Sequence, residues 1–179
     1  LIHPRGYWLW PDAREHLFDA GLCGALALFF RGRSVMDLGC GPGFYVRQLR
    51  AAGIDARGID GDPGLSEPYC RIADLTEPGA IGPGDVADWA LCLEVGEHVS
   101  AEFEAVFLAN LHAANRRGVV LSWAPPGQGG TGHVNERSRE YVAERMHAAG
   151  YWEDADATID LRAAASLTWL RRNLSVWRR

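Results

Sequence analysis

The decapeptide Ser34-Val35-Met36-Asp37-Leu38-Gly39-Cys40-Gly41-Pro42-Gly43 joins an apolar run of strand length to three alternating glycines. A helically spaced segment, Phe44 to Ala52, follows and is closed by Gly53. A short apolar run ending in glycine reads as a strand buried on both faces. Glycines at a strand-to-helix junction allow a tight turn and bring a ligand close to free N–H groups at the helix start. The spacing here is G-x-G-x-G. The dinucleotide fingerprint G-x-G-x-x-G would need glycine at Phe44 or Val46. An acidic residue, Asp37, stands two positions before the first glycine.

Elements alternate on either side of this junction. Upstream, Asp12 is placed to cap a helix running to Arg31, with Leu17, Gly21 or Leu22, Leu26 and Phe29 on one face and Gly32 as its stop. Downstream, Asp55 to Asp60 reads as a second strand, Cys70 to Asp74 as a short third, and Val86 to Glu94 as a strongly apolar fourth. Ser100 is a candidate cap for a helix carrying Phe103, Val106, Phe107 and Leu111. Gly118 to Trp123 reads as a fifth strand. Ser138 starts a helix ending at Gly150 with Tyr141, Val142 and Met146 inward, and Asp156 to Arg172 reads as one further helix. Asn173 to Trp177 alternates polar and apolar, as a last strand should. This alternation predicts an α/β, Rossmann-like, doubly wound and mostly parallel sheet with helices on both faces. Residues 1–33 would pack on a core formed by 34–179, within a single domain.

Bulk properties narrow the function. A net charge of −5 over 179 residues is the opposite of the balance by which a domain grips a nucleic-acid backbone. The tail cluster Arg171, Arg172, Arg178 and Arg179 reads as a solvated end. Four cysteines, Cys23, Cys40, Cys70 and Cys92, form no Cys-x-x-Cys pair, which argues against a zinc knuckle or disulfide scaffold and fits a reducing, cytoplasmic setting. The apolar run Leu22 to Phe30 is far below membrane-spanning length. Leu1 in place of Met fits one domain of a larger protein.

The glycine loop resembles motif I of class I S-adenosylmethionine-dependent methyltransferases, and further residues follow in that family's order. The resemblance runs from about Asp12 to the end and implies a seven-stranded sheet with an antiparallel last strand. It implies that Asp37 orients the loop and the amino end of the cofactor's methionine, beside Gly39, Gly41 and Gly43. Asp60, 21 residues beyond Gly39, would accept the ribose hydroxyls. Asp74 would face the adenine amino group, with Leu75 packed beside the ring and Leu93 contributing from the fourth strand. Asp55 and Asp62 read as solvated turn residues.

Chemistry concentrates in Glu94-Val95-Gly96-Glu97-His98. On a helical turn, positions i, i+3 and i+4 share a face. Glu94, Glu97 and His98 are then candidate ligands for a divalent metal, with His133 as a fourth ligand or a base. Mixed oxygen and nitrogen donors suit Mg²⁺, Mn²⁺, Fe²⁺ or Zn²⁺. The segment resembles the E-x-x-E-H element of two O-methylating branches of the family, one acting on quinone-type phenols and one on the terminal ribose of small RNAs. Two other readings use the same residues: direct acid–base work by Glu97, His98 or His133, and a metal-free brace for the cofactor loop.

The acceptor side is less specific. The aromatic cluster Tyr7-Trp8-Leu9-Trp10 would either roof the cleft or pack the first helix, and the Gly127–Gly132 insertion would be a lid or a plain surface loop. The expectation is an S-adenosylmethionine-dependent O-methyltransferase acting on a sugar, glycan or other small polar hydroxyl. An N-methyltransferase, an RNA ribose 2′-O-methyltransferase and a non-catalytic cofactor-binding scaffold are the alternatives.

Overall fold

The computed structural model describes residues 2–8 and 16–179. Leu1 and 9–15, and with them the expected Asp12 cap and the Leu9-Trp10 half of the aromatic cluster, lie outside the described residues. In chain order the elements are α1 (Ala20–Phe29), β1 (Ser34–Leu38), α2 (Phe44–Ala51), β2 (Asp55–Asp60), β3 (Cys70–Ile72) and β4 (Ala87–Leu93). They continue as α3 (Glu104–Ala113), β5 (Asn115–Ser122), α4 (Arg139–Ala148), β6 (Trp152–Glu153), α5 (Ala155–Ala164), α6 (Thr168–Asn173) and β7 (Ser175–Arg178).

The strands form one sheet in the order β3-β2-β1-β4-β5-β7-β6. Strands β1 to β5 pair in parallel, and β7 runs antiparallel to both β5 and β6. Side chains alternate across the sheet with period two. Val35, Val120 and Val176 meet Leu26 of α1, Leu49 of α2 and Leu161 of α5 on one face. Met36, Val119 and Trp177 meet Phe107 and Leu111 of α3 and Met146 of α4 on the other. Each fully buried Leu or Phe in these layers contributes about 2–3 kcal/mol of transfer free energy. Connections between parallel strands must cross a face, so the loops at the carboxyl ends of β1, β2, β4 and β5 gather at one sheet edge.

The structure departs from the sequence reading at four places. Helix α1 starts at Ala20, capped by Asp19, which accepts the Leu22 N–H at 2.9 Å, and Leu17 lies before the helix, exposed. Ser100 caps no helix: its hydroxyl donates to the Pro4 carbonyl, and α3 begins after Phe103. The segment expected as one helix from Asp156 is two, α5 and α6, because the Ser166 and Leu167 N–H groups both donate to Asp19 at 2.7 Å. The seven-stranded sheet with its antiparallel last strand is as the resemblance implied, but no segment of the sequence was read as the two-residue β6. All four cysteines are free, and all but the half-buried Cys70 are buried. No helix among the described residues is long and apolar enough to cross a membrane.

Candidate active site

Glycine geometry shapes the first wall of the site. Gly39 and Gly43 have φ of 77° and 79°, a region that side chains disfavour, and Gly43 is the residue that opens α2. A Cβ on Gly39 would lie 2.4 Å from the Val95 side chain, so the loop can approach the segment that follows β4 only with glycine there. Gly41, also left-handed at φ 52°, turns its N–H onto Asp60 at 2.8 Å.

Two carboxylates stand behind this loop. Asp37, at 4% exposure, is pushed up to about 8 by burial and then by the charge of Asp60. Asp60 ends β2 and is also raised, chiefly by burial, although its two oxygens accept the Gly41 and Asp62 N–H groups. Asp62 is not the solvated residue expected. It is buried and accepts the Gly64 N–H at 2.8 Å.

The far wall holds Asp74 and Leu75. One Asp74 oxygen accepts the Thr76 N–H and hydroxyl at 2.8 and 2.6 Å, and the other meets Arg5 at 3.1 Å. Arg5 belongs to an N-terminal arm that the sequence singled out only for its aromatics. Arg5 also pairs with Glu77, Tyr7 stacks on His3 at 4.4 Å, and the Tyr7 ring lies over Gly61, where a Cβ would be 2.4 Å away. Trp8 sets its ring edge-on to both His16 and His98. The arm therefore roofs the cleft.

Between these walls lies a cleft of about 470 Å³, bordered by Asp37, Gly39, Gly41, Asp60, Asp74, Leu75, Leu93, Glu94, His98 and His133 among others. Of the cofactor residues expected, Gly43 alone is not on its wall; its place is the start of α2. Glu97 is likewise absent from the cleft surface, fully buried behind it.

The Glu94–His98 element is not a helical turn from its first residue. Glu94 adopts φ 55°, the one left-handed non-glycine residue among those described, and only Gly96–His98 form a 3₁₀ turn. Glu94 is thereby turned towards Gln128, whose amide donates to it at 2.9 Å. Glu97, His98 and His133 do converge: one ligand atom from each lies within 4.8 Å of the others, and Glu94 is outside this group. Of the four residues read as candidate metal ligands, Glu97, His98 and His133 lie together and Glu94 does not join them.

Electrostatics make this triad unusual. Both Glu97 carboxyl oxygens are buried without a donor in good hydrogen-bond geometry, although the Glu94 carboxyl and the Ala124 N–H are near them. Burial, and then the nearby Glu94, hold the Glu97 carboxyl well above the usual carboxylate range. His98 is lowered to about 4, first by burial and then by His133. Its Nδ1 faces the Gly132 carbonyl at 3.2 Å, and the Nδ1 of His133 faces Glu136 at 3.1 Å. Acceptors at both Nδ1 atoms favour the tautomer that leaves each Nε2 with its lone pair. Two imidazoles, each oriented by an outer acceptor, and a buried carboxyl poor in protein donors form a donor set that a divalent cation would fit, displacing the carboxyl proton as it bound. Gln128 and Glu136 escaped the sequence reading, although Glu136, three residues after His133, carried a legible signal.

No family model matches the chain. A ubiquinone biosynthesis O-methyltransferase from Methylococcus capsulatus is 38% identical over 80 residues, 38% of this chain and 33% of that protein. The match thus spans about a third of the curated relative. Among solved structures, magnesium protoporphyrin IX methyltransferase from Synechocystis PCC 6803 with bound S-adenosylhomocysteine superposes with a TM-score of 0.63 at 18% identity, covering 87% of this chain and 80% of that one. A sugar N-methyltransferase from Streptoalloteichus gives 0.66 at 17%, over 89% and 87% of the two chains. An amino pentose methyltransferase from Micromonospora echinaspora gives 0.64 at 17%, over 88% and 89%. The fold is that of class I S-adenosylmethionine-dependent methyltransferases.

Proposed function

We propose that this chain is an S-adenosylmethionine-dependent methyltransferase that methylates a hydroxyl of a sugar or other small polar molecule. The observation that carries the reading is one cleft bordered at one end by the glycine loop, Asp60 and Asp74, and at the other by His98 and His133. S-adenosylmethionine would lie with its ribose on Asp60, its adenine between Asp74 and Leu75, and its methionine amino group towards Asp37.

In the transfer, the acceptor oxygen attacks the methyl carbon in line with the carbon–sulfur bond. That bond's electron pair returns to sulfur, leaving a neutral thioether. The hydroxyl proton must leave as the new bond forms, since an alcohol is a poor nucleophile until it loses it. A free Nε2 on His133 can receive that proton, and the Glu136 carboxylate at Nδ1 opposes the charge an imidazolium would carry. His98, neutral at physiological pH, keeps its own Nε2 lone pair. Glu97 cannot touch the acceptor from behind the wall, so its part is played through its neighbours. In the alternative arrangement Glu97, His98 and His133 would hold a divalent cation, Mg²⁺, Mn²⁺, Fe²⁺ or Zn²⁺, which when bound would supply charge that acidifies a hydroxyl, and His133 would then be a ligand and not the base.

An amine acceptor is the second reading, since enzymes named for sugar and amino-sugar methylation share the fold. The test is titration with S-adenosylhomocysteine, followed by incubation with methyl-labelled cofactor and a panel of sugars, phenols, amines and RNA, with and without chelator. Saturable S-adenosylhomocysteine binding and label in hydroxyls are expected. Label confined to amines overturns the oxygen acceptor, activity indifferent to exhaustive chelation overturns the cation, and absence of cofactor binding overturns the whole reading.

A further inference from the structure

A second cavity, of about 590 Å³, opens beside the cofactor cleft at the same sheet edge, and four arginines line it: Arg137, Arg139, Arg162 and Arg172. Its size is within the roughly 300–1,000 Å³ typical of small-molecule sites. Four guanidinium groups around one cavity are costly in mutual repulsion unless something negative answers them. Two are answered within the protein, Arg137 by Glu104 and Arg139 by Glu153. Two are not. Arg162 donates its Nε to the Leu174 carbonyl, which carries no charge, and Arg172 makes no ion pair or hydrogen bond among the described residues. In a chain of net charge −5, a local excess of two positive charges in a concave site is a specific feature.

The cavity also communicates with the chemistry. Gln128 and Trp169 line both spaces, and Gln128 joins them by hydrogen bonds, donating to Glu94 on the cleft side and accepting from Asn173 at 2.6 Å on the arginine side. We infer that the arginine cavity is an acceptor subsite for an oxyanion, so that the methyl acceptor is a phosphate- or carboxylate-bearing small molecule anchored there with its reacting group in the cleft. Arginine suits this task because its planar fork matches two oxygens of one phosphate or carboxylate. The tail cluster noted in the sequence divides accordingly. Arg172 faces this cavity, whereas Arg178 pairs with Asp154 and Arg179 with the His112 carbonyl. This inference rests on the methyltransferase reading for the word acceptor, but not for the anion site itself.

The experiment is calorimetric titration of the full chain with pyrophosphate, and separately with malonate, at low and moderate salt, with S-adenosylhomocysteine titrated in parallel. Arg172→Gln is the test variant, because the residue is exposed and supports nothing, and Arg171→Gln is its neighbour control outside the cavity. Saturable binding of at least one anion, weakened about tenfold by Arg172→Gln and unchanged by Arg171→Gln, is expected, with S-adenosylhomocysteine affinity the same in all three proteins. Preference for pyrophosphate or malonate identifies the oxyanion. Failure of both anions to bind, or equal losses in the two variants, overturns the subsite. Failure of S-adenosylhomocysteine alone would strike the proposed activity and leave the anion result standing.

Discussion

Replacing Glu97 with methionine should make the protein more stable while it loses its activity. Both carboxyl oxygens are buried without a well-placed donor and face the like charge of Glu94, and each poorly satisfied buried polar group costs about 1–3 kcal/mol. Methionine has nearly the same length, fills the space adaptably and carries no group that needs a partner. Allowing for imperfect packing, the gain should be about 2 kcal/mol. For a chain of this size that corresponds to a rise in Tm of about 4–8 °C. Glu104 supplies the contrast. It is also buried, but Asn135, Arg137 and Tyr141 all donate to it, and these bonds outweigh burial and hold its carboxyl below the usual range. Glu104→Met should therefore cost about 3 kcal/mol or more, since it strands Arg137 and the amide. The assay is thermal denaturation followed by circular dichroism, in chelator, with methyl transfer measured on the same samples. A fall in Tm for Glu97→Met, or turnover that survives it, would refute the view that this carboxylate is held in an unfavourable place for the sake of chemistry.

Other consequences can be checked as directly. His98 is neutral in the folded protein down to about 4, whereas an unfolded histidine protonates near 6.5, so stability is lost as pH falls from 6.5 towards 4, by about 3 kcal/mol; urea midpoints should show this loss, and His98→Gln should remove it. Because Asp37 is held up to about 8, a ligand amino group bound beside it should drive proton release at neutral pH, read as a dependence of the calorimetric heat on buffer ionisation enthalpy. Gly61→Ala puts a methyl group 2.4 Å from the Tyr7 ring, so the arm must lift, and S-adenosylhomocysteine should dissociate faster in stopped-flow measurements. Gly96→Ala places a Cβ 2.4 Å from Trp123, whose Nε1 holds the Asn135 carbonyl, and should lower stability by about 1–3 kcal/mol in chemical denaturation.

Much of this architecture was legible because its signals are local. β2 occupies Asp55–Asp60 as read, since an apolar run between turn residues fixes its own limits, and α2 is bounded by Gly43 and Gly53. Ser138 caps α4 through its hydroxyl as expected. What was not legible depends on partners distant in sequence. The α5–α6 break falls in a run of good helix formers, Ala163-Ala164-Ala165, and exists because Asp19 takes two N–H groups nearly 150 residues away. β6 is a strand only because β7 pairs with it. In the site, the residue types were readable but their directions were not. Helical spacing placed Glu94 in one ligand set with Glu97 and His98, whereas a left-handed backbone at Glu94 brings its carboxylate to Gln128, near Glu97 but outside the triad. The four arginines of the second cavity come from three separate segments, and no window of sequence joins them.

The position of β7 has a consequence for how the molecule is made. Among the described residues this four-residue strand, at 175–178, is the only link between β6 and the rest of the sheet. A nascent chain that has emerged from the ribosome through Asn173 has every other strand in hand, yet β5 still presents an open edge of unpaired backbone groups. Such an edge is where foreign strands add. During translation, therefore, the β5-β7-β6 side of the sheet stays incomplete after the β3-β2-β1-β4 side can pair, and stalled or truncated products should be captured by chaperones with the edge of β5 exposed.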